Sequence, residues 1–370
     1  MTAARQAGYD RPVAAVRDAV RRLAAGLALL SALFLPAAAS AATSSFAVGD
    51  QAVLQIWAGN LSNVTIRAWD RPTVQLDTDD EAVQVLRRPL TFGTTQNPLS
   101  VSIPLVNVQL RDPLTGALTP ASLPPEEFPY ASDFRAGTHD SVRIVVAARS
   151  HVTVSVPSNA AILDARIRGS GVLSIDDYHG STLFVGSGGG LTTLTDITSS
   201  AFVQMMNGRL EVRDSSFDRL RARGNSAAFT FEHTRARQIE VSTISGPIVY
   251  DNGTFDPGLA RFESASGAVA IGVATGAQIE ARSTEGRVFG LWDRRPPIDQ
   301  RGDGEASATI GGGGPVVNAL SGRGNVYLYD GSLQTRRALP QEWRPVRQTI
   351  RGRILAPDAF ERFRQLRGGR

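Results

Sequence analysis

The sequence predicts an all-β chain: a single β-solenoid (β-helix) with about 17–21 residues per coil, a Pro-rich insertion and an Arg-rich C-terminal tail. Three observations predict it. Glycine stands at 190, 208, 246, 267, 286 and 324, with Asn225 as a stand-in, at steps of 18, 17, 21, 21, 19 and 38. Apolar residues keep fixed offsets from these marks. Seven before stand Leu183, Ala201, Ile239, Ala260, Ile279 and Val317, with Asp218 as the exception; five before stand Val185, Val203, Leu220, Val241, Phe262, Ala281 and Ala319. Four after stand Leu194, Val212, Phe229, Tyr250, Ile271, Gly290 and Leu328. Outside the repeat, short runs alternate apolar and polar residues with the period of a half-buried strand.

In chain order, residues 1–41 read as a secretory signal peptide. Arg5, Arg11, Arg17, Arg21 and Arg22 form the basic region, Leu23 to Pro36 the apolar stretch, and Ala39-Ser40-Ala41 the small-residue cleavage site. The apolar stretch is shorter than the roughly 20 residues that span a bilayer. Residues 42–158 read as N-terminal β-strands and cap. Leu54 and Ile56 alternate with Val53, Gln55 and Trp57; after a Gly59-Asn60 turn come Val64, Ile66 and Ala68, then Val74, Leu76 and Thr78. Residues 88–138 hold Pro89, Pro98, Pro104, Pro113, Pro120, Pro124, Pro125 and Pro129. Proline removes ladder donors, so this insertion is expected to be a long excursion with a short strand near Leu99 to Val108. Strands resume at 142–146 and 152–156. The solenoid repeats fill 159–332, each coil placing two or three short strands around a core, with Gly or Asn at a left-handed corner. One degenerate coil is expected between Gly286 and Gly324. The basic tail, 333–370, offers a short helix carrying Phe360, Phe363 and Leu366, and is expected to cap the far end.

Charge and composition narrow the chemistry. The chain carries +4, of which residues 1–41 hold +3 and 336–370 hold +7, so the body between them is −6. That body offers no basic patch for nucleic acid. Every basic residue is Arg, which excludes phosphate-loop and Schiff-base lysines; cysteine is absent, which excludes thiolate nucleophiles and disulfides.

The segments Ile239-Glu-Val-Ser-Thr-Ile-Ser-Gly-Pro-Ile-Val, Phe262-Glu-Ser-Ala-Ser-Gly-Ala-Val-Ala-Ile and Ile279-Glu-Ala-Arg-Ser-Thr-Glu-Gly-Arg-Val share one pattern. It resembles the apolar-x-apolar-x-Thr-x-Ser-Gly-x-Val repeat of the bacterial auto-transporter adhesin, head GIN domain-like, β-helix family. Val64 to Val74 is similar to that family's opening strands, and Val152 to Ala160 to the strand and Pro turn before its repeats. The resemblance covers most of 50–332; the insertion and the tail depart from it. It implies a β-helix and surface adhesion, and it carries no catalytic residues.

The remaining motifs read as structure. His139, His151, His179 and His233 are not at metal-ligand spacing. Asp176-Asp177 and Asp251-Asn252-Gly253 read as turn chemistry. Gly311 to Gly314 lacks the Lys-Ser/Thr of a phosphate loop, and Gly186-Ser187-Gly188 is no nucleophile elbow. Arg301-Gly302-Asp303 is a tripeptide that an Arg- and Gly-rich chain supplies by chance. Trp69-Asp70-Arg71 and Trp292-Asp293-Arg294 read as corner packing. No catalytic, cofactor or metal residue is assigned. The expected role is that of an exported adhesin-like or envelope structural protein, periplasmic or at the cell surface, without catalytic activity. Its partner would be an envelope glycan or protein. Two alternatives stand beside it. One is a polysaccharide-active β-helix enzyme, which would gather Asp164, Asp176, Asp196, Asp214 and Glu232 on one face. The other is a periplasmic module binding anionic lipid or lipopolysaccharide through the tail.

Overall fold

The computed structural model describes residues 42–49, 51–78, 83–92, 99–101, 104–111, 118–122, 126–128, 137–290, 298–300, 304–331, 348–350 and 353–355. The expected signal peptide, the tail helix at 357–366, Trp292-Asp293-Arg294 and Arg301-Gly302-Asp303 lie outside them. Every regular element among the described residues is a β-strand, and no helix there is long and apolar enough to cross a membrane.

In chain order the strands begin with β1 (Ala42–Ala47), β2 (Val53–Ala58), β3 (Asn63–Trp69), β4 (Thr73–Thr78) and β5 (Val83–Phe92). The insertion holds β6 (Leu99–Val101), β7 (Pro104–Arg111), β8 (Leu118–Ser122) and β9 (Glu126–Phe128). Then follow β10 (Gly137–Val146), β11 (His151–Pro157), β12 (Ile162–Asp176), β13 (Thr182–Thr195), β14 (Thr198–Arg213), β15 (Ser216–Glu232), β16 (Arg235–Thr243), β17 (Ile248–Phe255), β18 (Ala260–Ser264) and β19 (Val269–Val273). The last are β20 (Ala277–Ser283), β21 (Val288–Gly290), β22 (Ile298–Gln300), β23 (Glu305–Ile310), β24 (Val316–Ser321), β25 (Val326–Asp330), β26 (Gln348–Ile350) and β27 (Arg353–Leu355).

Most strands join one large sheet, organised as two parallel columns. Column A stacks β10, β2, the first half of β12, then β13, β14, β15, β16, β18, β24 and β20. Column B stacks β11, β3, the second half of β12, then β13, β14, β15, β17, β19, β25 and β21. Strands β12 to β15 serve both columns. Stacking of like tiers aligns like residues, because neighbouring strands lie about 4.8 Å apart in register. Leu183, Val185, Ala201, Val203, Ile239 and Val241 face one shared core, each at most 1% exposed. Each large aliphatic side chain so buried contributes about 1.5–3 kcal/mol relative to leaving it in water.

The middle of the ladder follows chain order and its two ends do not. Ile239 pairs with Ala260, but Ala260 then pairs with Val317, and Val317 with Ile279. The tier β24–β25 is thus slotted between β18–β19 and β20–β21. This corrects the expected degenerate coil between Gly286 and Gly324: β22 and β23 instead turn back, and β23 covers β20 antiparallel. The described cap at this end is β23; the expected capping tail lies mostly outside the described residues, which include of it the short hairpin β26–β27. The other end repeats the device. Val53 pairs with both Ile162 and Ser141, so β2–β3 sits between β12 and β10–β11. The outermost tier there is covered antiparallel by β5 on β10 and by β4 on β11, with β1 on β4.

Two expectations about the glycine interval also change. The residue in register between Gly208 and Gly246 is Ala227, not Asn225: Gly208 pairs with Ala227, and Gly246 abuts the Ala227 carbonyl. The inward equivalents of Val203 and Val212 are accordingly Ala222 and Phe231, and Asp218 is an exposed residue paired with Arg237. Nor is the glycine position a left-handed corner throughout. Gly190 and Gly208 have φ of 85° and 91°, whereas Gly246, Gly267, Gly286 and Gly324 lie outside that region. Their need for glycine is steric. A Cβ at Gly267 would strike the Gly246 carbonyl, one at Gly324 the Gly267 carbonyl, and one at Gly286 the Gly324 carbonyl.

A hydroxyl three residues before each of these marks completes the corner. Ser264 Oγ donates to the Gly246 carbonyl at 2.8 Å and accepts from the Gly267 N–H at 2.7 Å. Ser321 donates to the Gly267 carbonyl at 2.8 Å and Ser283 to the Gly324 carbonyl at 2.7 Å. The Thr/Ser-x-x-Gly of the repeat is therefore a bridge between tiers that satisfies buried backbone groups. Two buried tyrosines do similar work elsewhere. Tyr178 donates to the Ala160 and Thr182 carbonyls, Tyr250 to those of Thr234 and Thr254. Burial pushes the Tyr250 hydroxyl well above the ordinary tyrosine range.

Candidate interaction faces

Side chains alternate across a strand, so each column presents an outward face. Column B is polar over its first tiers, from β11 to β15; beyond Thr230 the outward row continues as Val249, Ala270 and Tyr327, a buried apolar cluster with Phe289 packed against it. One outward row runs Thr153, Thr65, Ser174, Thr193, Glu211 and Thr230 in register. Beside it run Ser155, Arg67, Asp176, Thr195, Arg213 and Glu232. All except Glu211 are half-buried or exposed. Thr193 Oγ1 donates to Ser174 Oγ at 2.9 Å, and Arg213 bridges Glu211 at 2.8 Å and Glu232 at 3.1 Å. The result is a flat field of hydroxyls merging into an ion-pair network. It offers short hydrogen-bond donors and acceptors held at strand spacing.

Column A differs. Trp57 lies under Arg143 at 4.1 Å and Arg166 at 5.5 Å. Its indole N–H points to Asp164 Oδ2 at 3.4 Å, and Arg166 Nε donates to Asp164 Oδ1 at 2.6 Å. Asp164, though outward, is 5% exposed, and its carboxylate is paired with that guanidinium. The next tiers carry Phe184 and Phe202, whose rings meet edge to face at 6.4 Å. Both are 4% exposed, although they alternate with core residues and point away from the core. Thr182 Oγ1 and Gln204 Oε1 on the same face are buried without a hydrogen-bond partner.

A third set sits at the corner after column B. Asp177, Asp196, Asp214, His233 and Asn252 all adopt left-handed φ, from 49° to 63°. The Asp177 N–H donates to the Thr195 carbonyl and the Asp196 N–H to the Arg213 carbonyl, at 3.1 and 3.2 Å. Asp and Asn tolerate this conformation best after Gly. The left-handed corner expected at the glycines thus lies at these residues. Its signal was available as a second interval of near 19 residues between Asp, His and Asn. His179 pairs with Asp177 and His233 with Asp214 across this exposed corner, at 2.8 and 3.3 Å. His139 is buried on β10 and His151 is exposed at the start of β11.

The five carboxylates of the enzymatic alternative fall in three places. Asp164 is on column A, Asp196 and Asp214 are at the corner, and Asp176 and Glu232 share an outward row of column B. Thr195 and Arg213 separate those last two, a distance of about 14 Å at strand spacing, whereas paired glycosidase carboxylates stand about 5–9.5 Å apart. Among the described residues no group of three or more His, Asp or Glu is placed to hold a metal ion. Trp69 donates its indole N–H to the Thr73 carbonyl at 2.8 Å under the Arg71 guanidinium, in agreement with corner packing.

No family model and no curated protein matches the chain. Among solved structures it is similar to the crystal structure of a "putative cell adhesion protein" from Clostridium sporogenes, at 8% identity. That match covers 79% of this chain and 100% of the other, with a TM-score of 0.25.

Proposed function

We propose that this chain is an exported, non-catalytic β-solenoid that meets an envelope partner, glycan or protein, through a flat side, in an adhesin-like or envelope-structural role. The observation that carries the reading is the pair of in-register columns. Bent strands such as β14 feed both, each tier pairs with the next about 18–21 residues on through the middle, and the recurring residues serve stacking. What varies from tier to tier is the outward set, and the open polar field of column B is the side available for contact. Extended flat surfaces of this kind are what stacked repeats supply to partners.

The test begins with cell fractionation and protease shaving of intact cells, which should place the mature chain in the periplasm or on the surface. Binding of the purified protein to isolated envelopes should then fall at least about tenfold in a Thr65→Arg, Thr193→Arg double variant, about 1.4 kcal/mol by the affinity relation. A glycan-cleaving activity abolished by a single carboxylate substitution, or a cytoplasmic location, would overturn the reading.

A further inference from the structure

The outward face of column A is buried where it should be open, and only at one end. Phe184, Phe202, Thr182 and Ile162 point away from the core yet are at most 4% exposed. On the same face further along, Val316 is 43% exposed and Gln278 and Glu280 are exposed. Glu280 has ladder partners on both sides, Asn318 and Ser307, and is still exposed, so ladder position alone does not set the contrast within column A.

The chain's path supplies a cover for the first tiers. The Pro-rich excursion leaves the ladder at Phe92 and re-enters at Gly137, and these two residues are direct register partners on β5 and β10. Both are therefore anchored at the column A end where the buried face lies. Within the excursion, β7 pairs antiparallel with β8, and β7 also comes against β12, the strand shared by the two columns. Its sequence, Pro-Leu-Val-Asn-Val-Gln-Leu-Arg, is apolar enough to need a partner. An isolated two-stranded hairpin is at best marginally stable in water, so β7–β8 requires a surface, and the Phe184–Phe202 face requires a cover.

We propose that the insertion is an intramolecular ligand of column A: the β7–β8 hairpin is docked on the Phe184–Phe202 face, leaving the Thr65–Thr230 rows of column B as the open side of these tiers. The proposal is independent of the functional reading above, because it concerns only which face the chain covers itself.

Hydrogen exchange on the full-length protein tests it. Amides of 104–122 should be protected in the native chain and should exchange at least about tenfold faster in Phe202→Asp, while amides of Ile239–Thr243 stay slow. A second variant replaces 93–136 with an Asn-Gly turn, which the Phe92 and Gly137 pairing permits as a hairpin. It should bind a hydrophobic dye that the native protein does not, and a synthetic peptide of residues 99–128 should suppress that binding. The proposal is overturned if 104–122 exchanges as freely in the native chain as in Phe202→Asp. It is equally overturned if the shortened variant binds no more dye than the native protein, or if the native protein self-associates through this face in sedimentation.

Discussion

The middle of the ladder and its two ends use the same tiers and the same corner bonds, but they join them differently. From β12 to β19 each tier rests on the one made just before it in the chain. At the ends, β2–β3 and β24–β25 are slotted beneath an outer tier, and the outer tier is then covered antiparallel. Open edges of a stacked sheet invite further pairing. Here the outermost parallel tiers are the ones that receive a cap, while the terminal stretches of the repeat are held inside. The cost is loop closure over longer separations, which grows only slowly with length but delays folding.

The largest effect should come from removing a slotted tier. A chain ending before Val316 loses the only described partner that joins β18 to β20 in column A, so amides of 277–283 should lose protection while those of β12–β15 keep it. A chain ending after Gly331 should retain protection at both. Next, Phe229 is fully buried in the middle of the ladder, and Phe229→Ala should cost about 3–5 kcal/mol in urea unfolding. Smaller and more pointed is the pair Ser264→Ala and Ser321→Ala. Both hydroxyls bridge to a glycine carbonyl at 2.8 Å, so each loss should be about 1 kcal/mol. Chevron analysis should place the Ser321→Ala loss mainly in faster unfolding, because its long-range tier closes late.

The smallest effect concerns charge in the regular region. The hydrogen bond from Arg237 holds the Asp218 carboxyl below its ordinary value. A depressed carboxylate contributes stability above its unfolded value and loses it as pH falls through the folded value. Asp218→Asn should therefore remove a slight acid-limb dependence seen by side-chain NMR titration, while stability near neutral pH moves little because the pair is exposed.

Much of the core was legible. Inward rows at 183 and 185, 201 and 203, 239 and 241 follow from the interval alone, because a tier must place its apolar residues over those of its neighbour. The Asn225 assignment failed for a local reason. Steps of 17 and 21 hide two steps of 19, and Asn is the expected left-handed substitute, yet the position needs space and not a special φ. Ala227 fits because Gly208 and Gly246 flank it in the adjoining tiers. The buried outward face of column A was illegible, since Phe184 and Phe202 read as inward or outward only once register is known, and their cover comes from a distant segment.

By itself the sequence determined that the described elements are β, that its periodicity encodes stacking, and where several of the inward rows fall. Tertiary structure alone decided the order of the tiers at the ends and which side is covered. The physical reason is that tiers with matching apolar rows and matching Ser-x-x-Gly corners are interchangeable as neighbours. Periodicity therefore carries no information about order, and the choice falls to chain closure and to the covering of exposed edges.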